Sequence, residues 1–442
     1  MSNTLMLENM TTELRKVAER ARREPDAKFH SLAHLIDEVA LMRAYRRQRA
    51  DAAVGVDRVT KEQYAQDLIA RLRDLHERLR SMRYRHQPIL RKHIPKERSK
   101  KMRPIGISAF EDKLVQDAIR EVLEAVYEQY FLECSYGFRP GRKAHDALRA
   151  IDRVVYRGEV NWILEADITS FFDSLDRSML SEMLRERVPD GSLLRLIGKC
   201  LHVGVLDGEE FCLPEYGTTQ GSVLSPMLGN IYLHHALDLW FEEEAKPRVR
   251  GKAHLIRYAD DFVIGFELQE DAKRVMEVLH KRMAKYGLTL HADKTRLMPF
   301  RRPSAGQNKG KGPGTFEFLG FKLYWRRTRK GQWEMACKTR HARLNRAIRN
   351  IYEWCRSHRH LPIPVQHAAL VRRIQGHFNY FGVNGNSRSL SLVKYHAERA
   401  WYKWLCRRSQ RGRLNWERFE DLLRDFPLPQ PRISVQIWGA GK

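Results

Sequence analysis

Residues 254–266 set two adjacent carboxylates, Asp260 and Asp261, between two apolar runs. Leu255 and Ile256 precede them, and Phe262, Val263, Ile264 and Phe266 follow. Both runs are rich in β-branched and aromatic residues, which predicts two strands joined at Tyr258-Ala259-Asp260-Asp261. Two acids side by side against an apolar sheet repel each other and are costly to desolvate unless a cation shares them. A hard divalent ion with oxygen ligands resolves that conflict. A plain hairpin turn, where Asp is common, accounts for the pair equally well. The tetrapeptide alone leaves both readings open.

A second segment breaks the tie. Residues 161–173 form another apolar run, with Trp162, Ile163 and Leu164, that delivers Asp167 and then Phe171-Phe172. Asp167 by itself would serve as a turn or helix-cap residue, since residues 173–176 read as a helix start. Together the two segments spell a polymerase palm. One strand supplies a carboxylate, a hairpin supplies two more, and metal ions clamp the attacking and leaving oxygens of an in-line phosphoryl transfer. The attacking 3′-hydroxyl must lose its proton while negative charge builds on pyrophosphate, so positive charge is needed there.

With these motifs the chain resembles reverse transcriptases, most closely those encoded by bacterial group II introns. Residues 55–60 (Gly-Val-Asp-Arg-Val-Thr) are similar to the first motif of the intron enzymes, and Ile94-Pro95-Lys96 with residues 102–107 to the fingers hairpin. Residues 135–142 (Ser-Tyr-Gly-Phe-Arg-Pro-Gly-Arg) come next, then the Asp167 strand, then residues 217–226, which resemble the nucleotide-pocket motif. The Asp260-Asp261 hairpin, residues 291–295 and Phe318-Leu319-Gly320-Phe321 follow, the last similar to a primer-grip turn. Each match is weak alone; eight in order across residues 50 to 325 are strong.

The resemblance implies an α+β right-hand polymerase, with fingers and palm built on antiparallel sheet and an α-helical thumb. It implies Asp167, Asp260 and Asp261 as catalytic metal ligands, with the Ile168 carbonyl as a further oxygen, for two Mg2+ ions that Mn2+ would replace. Arg103 and Lys96 would meet the triphosphate of an incoming dNTP, a solvated charge run being the alternative; a guanidinium suits bidentate phosphate contacts. Phe172 would sit under the sugar and reject a 2′-hydroxyl, with core packing as the alternative and as the reading of Phe171. Gln220 and Gly221 would line the nucleotide pocket, the glycine admitting close backbone approach to a base or sugar. Thr219 and Ser222-Val223 depart from the family's usual Pro and Gly-Gly or Gly-Pro, which bears on fidelity and sugar choice. Lys294 would protonate the leaving pyrophosphate, or is an exposed structural lysine. Tyr258, Phe318, Leu319 and Gly320 would contact primer and template.

Four segments are expected: a helical N-terminal extension (1–50), fingers and palm (51–325), a thumb (326–405) and a short basic tail (406–442). In the first, Leu32, Leu35, Ile36, Val39, Leu41 and Met42 read as one buried stripe. Residues 301–315 read as a flexible basic loop. Beyond Trp333 the pattern turns helical near 338–359, 364–383 and 387–409. Leu370, Ile374, Phe378 and Phe381, then Leu390, Val393, Ala397, Trp401 and Trp404, recur at three- and four-residue steps. Residues 375–383 with 386–388 resemble the maturase segment of group II intron proteins. His377, a lone histidine on an apolar helix, reads as structural. In the tail, Arg407, Arg408, Arg411 and Arg413 read as contacts to RNA or DNA.

Charge supports a nucleic-acid partner independently. The chain carries a net +26, and residues 301–442 hold 30 basic against 8 acidic side chains, so nearly all the excess sits in the last third. Such a surface releases counterions from a polyphosphate. An anionic membrane is the competing partner, but no long apolar run or amphipathic anchor supports one. Six scattered cysteines fit neither a disulfide framework nor a zinc ribbon and suit a reducing bacterial cytoplasm. No paired cysteines follow Cys406, so the resemblance is to the type lacking a C-terminal endonuclease. The expected partners are intron and template RNA, a DNA primer or target, and dNTPs. The alternatives are a reverse transcriptase recruited to defence or repair, and an RNA-binding maturase without polymerase activity, which would have no need of three retained carboxylates.

Overall fold

The computed structural model describes residues 10–95, 102–213, 216–218, 220–303, 314–328, 331–408 and 414–437. Lys96, Thr219, Arg411, Arg413 and most of the 301–315 loop lie outside them. The described strands are β1 (Ile89–Pro95), β2 (Met102–Ile107), β3 (Trp162–Asp167), β4 (Val205–Asp207), β5 (Glu210–Cys212), β6 (Ala253–Tyr258), β7 (Asp261–Phe266), β8 (Arg296–Pro299), β9 (Phe316–Phe318), β10 (Phe321–Arg327) and β11 (Trp333–Thr339). They form three sheets, ordered β2-β1-β4-β5, β6-β7-β3-β8 and β11-β10-β9. This is the α+β architecture expected, with an antiparallel palm sheet and a third sheet leading to a helical thumb, except that the fingers sheet is mixed, β1 pairing parallel to β4.

The N-terminal extension begins with helices Thr12–Arg23 and Glu38–Arg47, N-capped by the side chains of Thr11 and Asp37. Leu32, Ile36 and Leu41 are buried as the stripe predicts, but Val39 is 59% exposed. The Asp37 cap starts a new helix and resets the phase of the stripe, so Val39 falls on the solvent side. The first motif serves the fold. Asp57 Oδ2 accepts from the backbone of Phe110 at 2.7 Å, at the start of the buried helix Phe110–Tyr127.

β3 lies between β7 and β8, with Leu164, Ala166 and Ile168 on one face and Ile163, Glu165 and Asp167 on the other. The first face joins the core built around Leu114, Ile119 and Phe262. On the other, Ile163 shares a second core with Phe316, Phe318 and Phe321 and with the thumb residues Leu370, Ile374 and Phe378. Palm, third sheet and thumb therefore share one apolar core, and the boundary expected at 325/326 falls inside β10.

The thumb helices are His341–Ser357, Ile363–Phe381 and Ser387–Cys406. Every apolar position read from the periodicity of the second and third is buried. Residues 333–339, expected to begin the helical pattern, instead pair with β10 along its whole length. The tail also differs from a basic appendage. Helix Trp416–Asp425 carries Arg418 and Arg424 against Glu417, Glu420, Asp421 and Asp425, so the basic character is confined to residues 407–413. Phe419 is fully buried against Trp401 and Tyr402, Val435 bridges Val383, and Arg149 Nε donates to the Gln436 carbonyl at 3.2 Å. The tail thus ties the thumb to palm helix Ala144–Tyr156. All six cysteines are free. No helix among the described residues is long and apolar enough to cross a membrane.

Candidate active site

Strand register assembles the carboxylates. Asp167 at the end of β3 stands directly opposite Asp261 at the start of β7, and Tyr258 of β6 pairs with Asp261 across a two-residue turn, Ala259-Asp260. Tight two-residue hairpins need positive φ, and Ala259 supplies it at 56° without being a glycine. Asp167, Asp260 and Asp261 line one cavity of about 520 Å³ together with Arg103, Lys294 and the turn Phe318-Leu319-Gly320. A second, polar cavity of about 650 Å³ shares Arg103, Lys294, Arg340 and Arg343 and reaches the fingers hairpin at Ile94 and Pro95.

The electrostatics are those of a site built for a cation. Burial, and then the neighbouring charges of Asp167 and Asp260, push the Asp261 carboxyl up to about 7. Burial also raises Asp260, partly offset by Arg103 and Lys294. Asp167 Oδ2 accepts from the Lys294 ammonium. As placed, no three His, Cys, Asp or Glu side chains among the described residues converge to hold a metal ion. The donor set, three carboxylates facing one cavity with two of them raised first by burial and then by each other's or Asp167's charge, fits a hard divalent ion.

Other expected residues separate into those the fold brings to the site and those it uses elsewhere. Ile168 follows Asp167 directly and bridges Leu290. Phe172 is half-buried beside Phe171, ring centroids 5.1 Å apart, while Phe171 itself is core. Gly221 has φ +111°, and a Cβ there would stand 2.6 Å from the Gly106 carbonyl; the backbone carbonyl of Gln220 accepts from Gly106 N at 2.7 Å. The close approach this glycine permits within the protein is to the backbone of β2. Phe318 is buried in the shared core, leaving Leu319 (φ 53°) and Gly320 (φ 79°) to form the turn at the cavity. Tyr258 is half-buried, its ring centroid 6.4 Å from that of Phe138. Arg407 lies over Trp404 at 5.5 Å and Arg408 donates to the His360 carbonyl, both at the far end of the third thumb helix.

Several contributors were not legible in the sequence. Tyr380, inside the maturase-like segment, donates its hydroxyl to the Leu319 carbonyl at 2.9 Å, and Leu319 N donates to Asp261 Oδ2 at 3.4 Å. Gln116 Oε1 accepts from Ser222 Oγ at 3.0 Å, so one departure from the family pattern is anchored to a buried polar side chain. Arg340 and Arg343 line both cavities, placed there by the start of the first thumb helix. Only the arginine spacing in 340–349 hinted at them.

A carboxylate-bearing palm under a fingers hairpin and beside a helical thumb defines a nucleotidyl-transferring polymerase. Residues 94–323 match the family model described as reverse transcriptase (RNA-dependent DNA polymerase), and the chain belongs to that family. It is 38% identical over 209 residues to the group II intron-encoded protein LtrA of Lactococcus lactis subsp. cremoris, covering 45% of this chain and 35% of that one. It is 30% identical over 358 residues to protein YkfC of Escherichia coli (strain K12), covering 72% of this chain and 89% of that protein. The nuclear intron maturase 4, mitochondrial, of Arabidopsis thaliana is 34% identical over 122 residues, covering 27% of this chain and 15% of the relative. The alignment with LtrA thus spans about a third of that protein's length.

Proposed function

We propose that this protein is an RNA-directed DNA polymerase of the group II intron type, which copies template RNA into cDNA and assists folding, splicing and mobility of an intron RNA. The observation that carries the reading is the register that sets Asp167 opposite Asp261, with Asp260 on the intervening turn, at one cavity with Arg103 and Lys294. Asp167, Asp260 and Asp261, with the Ile168 carbonyl, are the groups that would hold two Mg2+ ions, or Mn2+ in their place. Bound there, the ions supply the positive charge that eases deprotonation of a primer 3′-hydroxyl and neutralises charge on the leaving pyrophosphate.

The chain's own residues do the rest. Arg103 directs its guanidinium to the triphosphate of the incoming dNTP, with Arg340 and Arg343 lining the route from the fingers. Lys294 holds Asp167 until substrate arrives and is then placed to protonate pyrophosphate. Phe172 closes the sugar side of the pocket, and Leu319-Gly320 steadies the primer end. The similarity of residues 375–388 to the maturase segment supports the splicing role, and the basic last third suits a structured RNA. Primer extension on an RNA template tests the reading. Asp260→Ala is expected to lose at least ~100-fold in rate, because a two-metal site missing one ligand loses most of its transition-state charge stabilisation. Near wild-type extension by that variant would refute the assignment.

A further inference from the structure

We propose that Arg257 is the positioning residue of the catalytic turn: it clamps two separate chain segments to the hairpin at Ala259, so that Asp260 and Asp261 are aimed before substrate binds. The inference rests on the assignment of those two carboxylates to catalysis. Arg257 is fully buried, two residues before the turn. Its Nε donates to Asp238 Oδ1 at 2.7 Å and its Nη2 to Asp238 Oδ2, while Nη1 donates to Asn230 Oδ1 at 3.0 Å and to the Ala259 carbonyl at 3.1 Å. That last carbonyl belongs to the peptide that carries Asp260, so the bond fixes the plane from which the carboxylate projects.

The other contacts close the clamp. Arg257 N donates to the Cys134 carbonyl and Tyr136 N donates to the Arg257 carbonyl, both at 2.8 Å. Asn230 Nδ2 donates to the Gly137 carbonyl at 2.7 Å, and a Cβ on Gly137 would stand 2.3 Å from Ala259 N. Segment 134–137 is thus pressed against the turn from outside while the guanidinium holds it from within. The helix that brings Asn230 and Asp238 is shaped to deliver both. Eight residues of α-helix would offset the two by about 80° around the axis. The chain instead widens to a π-helical turn over His234–Asp238, which absorbs roughly one residue and returns both side chains to one face. Only a planar fork with five donors serves a carboxylate, an amide and a carbonyl together; an ammonium is a point donor and does not span them.

A buried ion pair with a purely structural role would change the folded fraction and scale every activity alike. A positioning role lowers the chemical step selectively. The test uses the full chain with Arg257→Lys, Asn230→Ala and, as reference, Asp260→Ala. Single-turnover nucleotide addition is followed against dNTP concentration, template-primer Kd by fluorescence anisotropy, and folding by thermal unfolding. Asn230→Ala leaves the Arg257–Asp238 pair intact and carries the test should Arg257→Lys fold poorly. The maximal rate is expected to fall on the order of 100-fold in Arg257→Lys, as a misplacement near 1 Å would cause, and less in Asn230→Ala. The dNTP concentration at half-maximal rate and the template-primer Kd are expected to stay within about threefold of wild type. Wild-type maximal rates in folded variants would overturn the clamp, as would losses in rate and binding that both track the folded fraction. Full activity of Asp260→Ala would instead remove the catalytic assignment, and the clamp with it.

Discussion

The link from the thumb to the active site can be cut at one atom. Tyr380→Phe removes the hydroxyl that donates to the Leu319 carbonyl at 2.9 Å and leaves the ring, which stacks on Phe321 at 5.7 Å, in place. The carbonyl it abandons lies at a turn lining an open cavity, where water replaces the donor, so the change costs the net value of one neutral hydrogen bond, about 1 kcal/mol. That is roughly a fivefold change in occupancy of the ordered turn. Leu319 and Gly320 both have positive φ, as the two-residue hairpin between β9 and β10 needs, and Arg340 N donates to the Gly320 carbonyl at 2.9 Å, so the hydroxyl is one of several holds on the turn. Since Leu319 N also donates to Asp261, loosening the turn reaches a carboxylate of the proposed metal site by one further, long bond. The expected result is a three- to tenfold faster dissociation of primer-template, roughly in line with that energy, and a smaller fall in the single-turnover rate. Stopped-flow release of a labelled primer-template, with rapid-quench extension beside it, reads both. Unchanged release would show that the hydroxyl does not support the primer grip. A loss of ~100-fold in chemistry with normal release would place Tyr380 in the reaction itself and refute the reasoning.

Three other expectations follow from the same structure. Phe172→Ala is expected to admit ribonucleotides more readily while Phe171 keeps the core beneath it intact; unchanged discrimination in a folded variant would assign Phe172 to packing alone. Burial holds the His377 imidazole down at about 4, below its ordinary 6.5, so the folded thumb binds fewer protons than the unfolded chain between those values. Stability from this residue is therefore complete above pH 6.5 and lost as pH falls toward 4, and His377→Leu is expected to flatten that part of a Tm-against-pH curve. Replacing Arg407, Arg408, Arg411 and Arg413 by glutamine is expected to weaken intron RNA and scrambled RNA about equally and to flatten the dependence of log Kd on log salt. A loss confined to intron RNA would show that these arginines read more than phosphate.

What was legible in the sequence was local. Apolar runs delivering Asp167, Asp260 and Asp261 showed the palm, because strand period and carboxylate chemistry are both written within a few residues. The second and third thumb helices were readable for a similar reason: Leu370, Ile374, Phe378 and Phe381 repeat on one face over nearly the whole element. Where a local signal is ambiguous, the sequence misleads. The run Met335-Ala336-Cys337 suits a helix or a strand until β10 is placed beside it, and a cap at Asp37 breaks a stripe that looks continuous. The arginines at 407–413 draw attention away from Phe419, Leu428 and Ile437, three buried residues too widely spaced to announce a packed segment.

The harder errors concern what a motif residue touches. Gly221 and Gly137 both sit in family motifs, and both allow a close approach that a side chain would block. One meets the backbone of Gly106 and the other the backbone of Ala259. Asp57 caps a helix 53 residues away, and Arg139 pairs with Glu128 inside the protein, its side chain almost wholly buried. Arg257, next to the most diagnostic tetrapeptide in the chain, meets Asp238 and Asn230, whose positions no periodicity relates to its own. A series of motifs thus marks segments that must meet, and much of what they meet is one another. Chemistry can be assigned from such a series only where the residue type has no other stable use, as with carboxylates held together without a cation. For glycines, arginines and amides, the assignment waits on the fold.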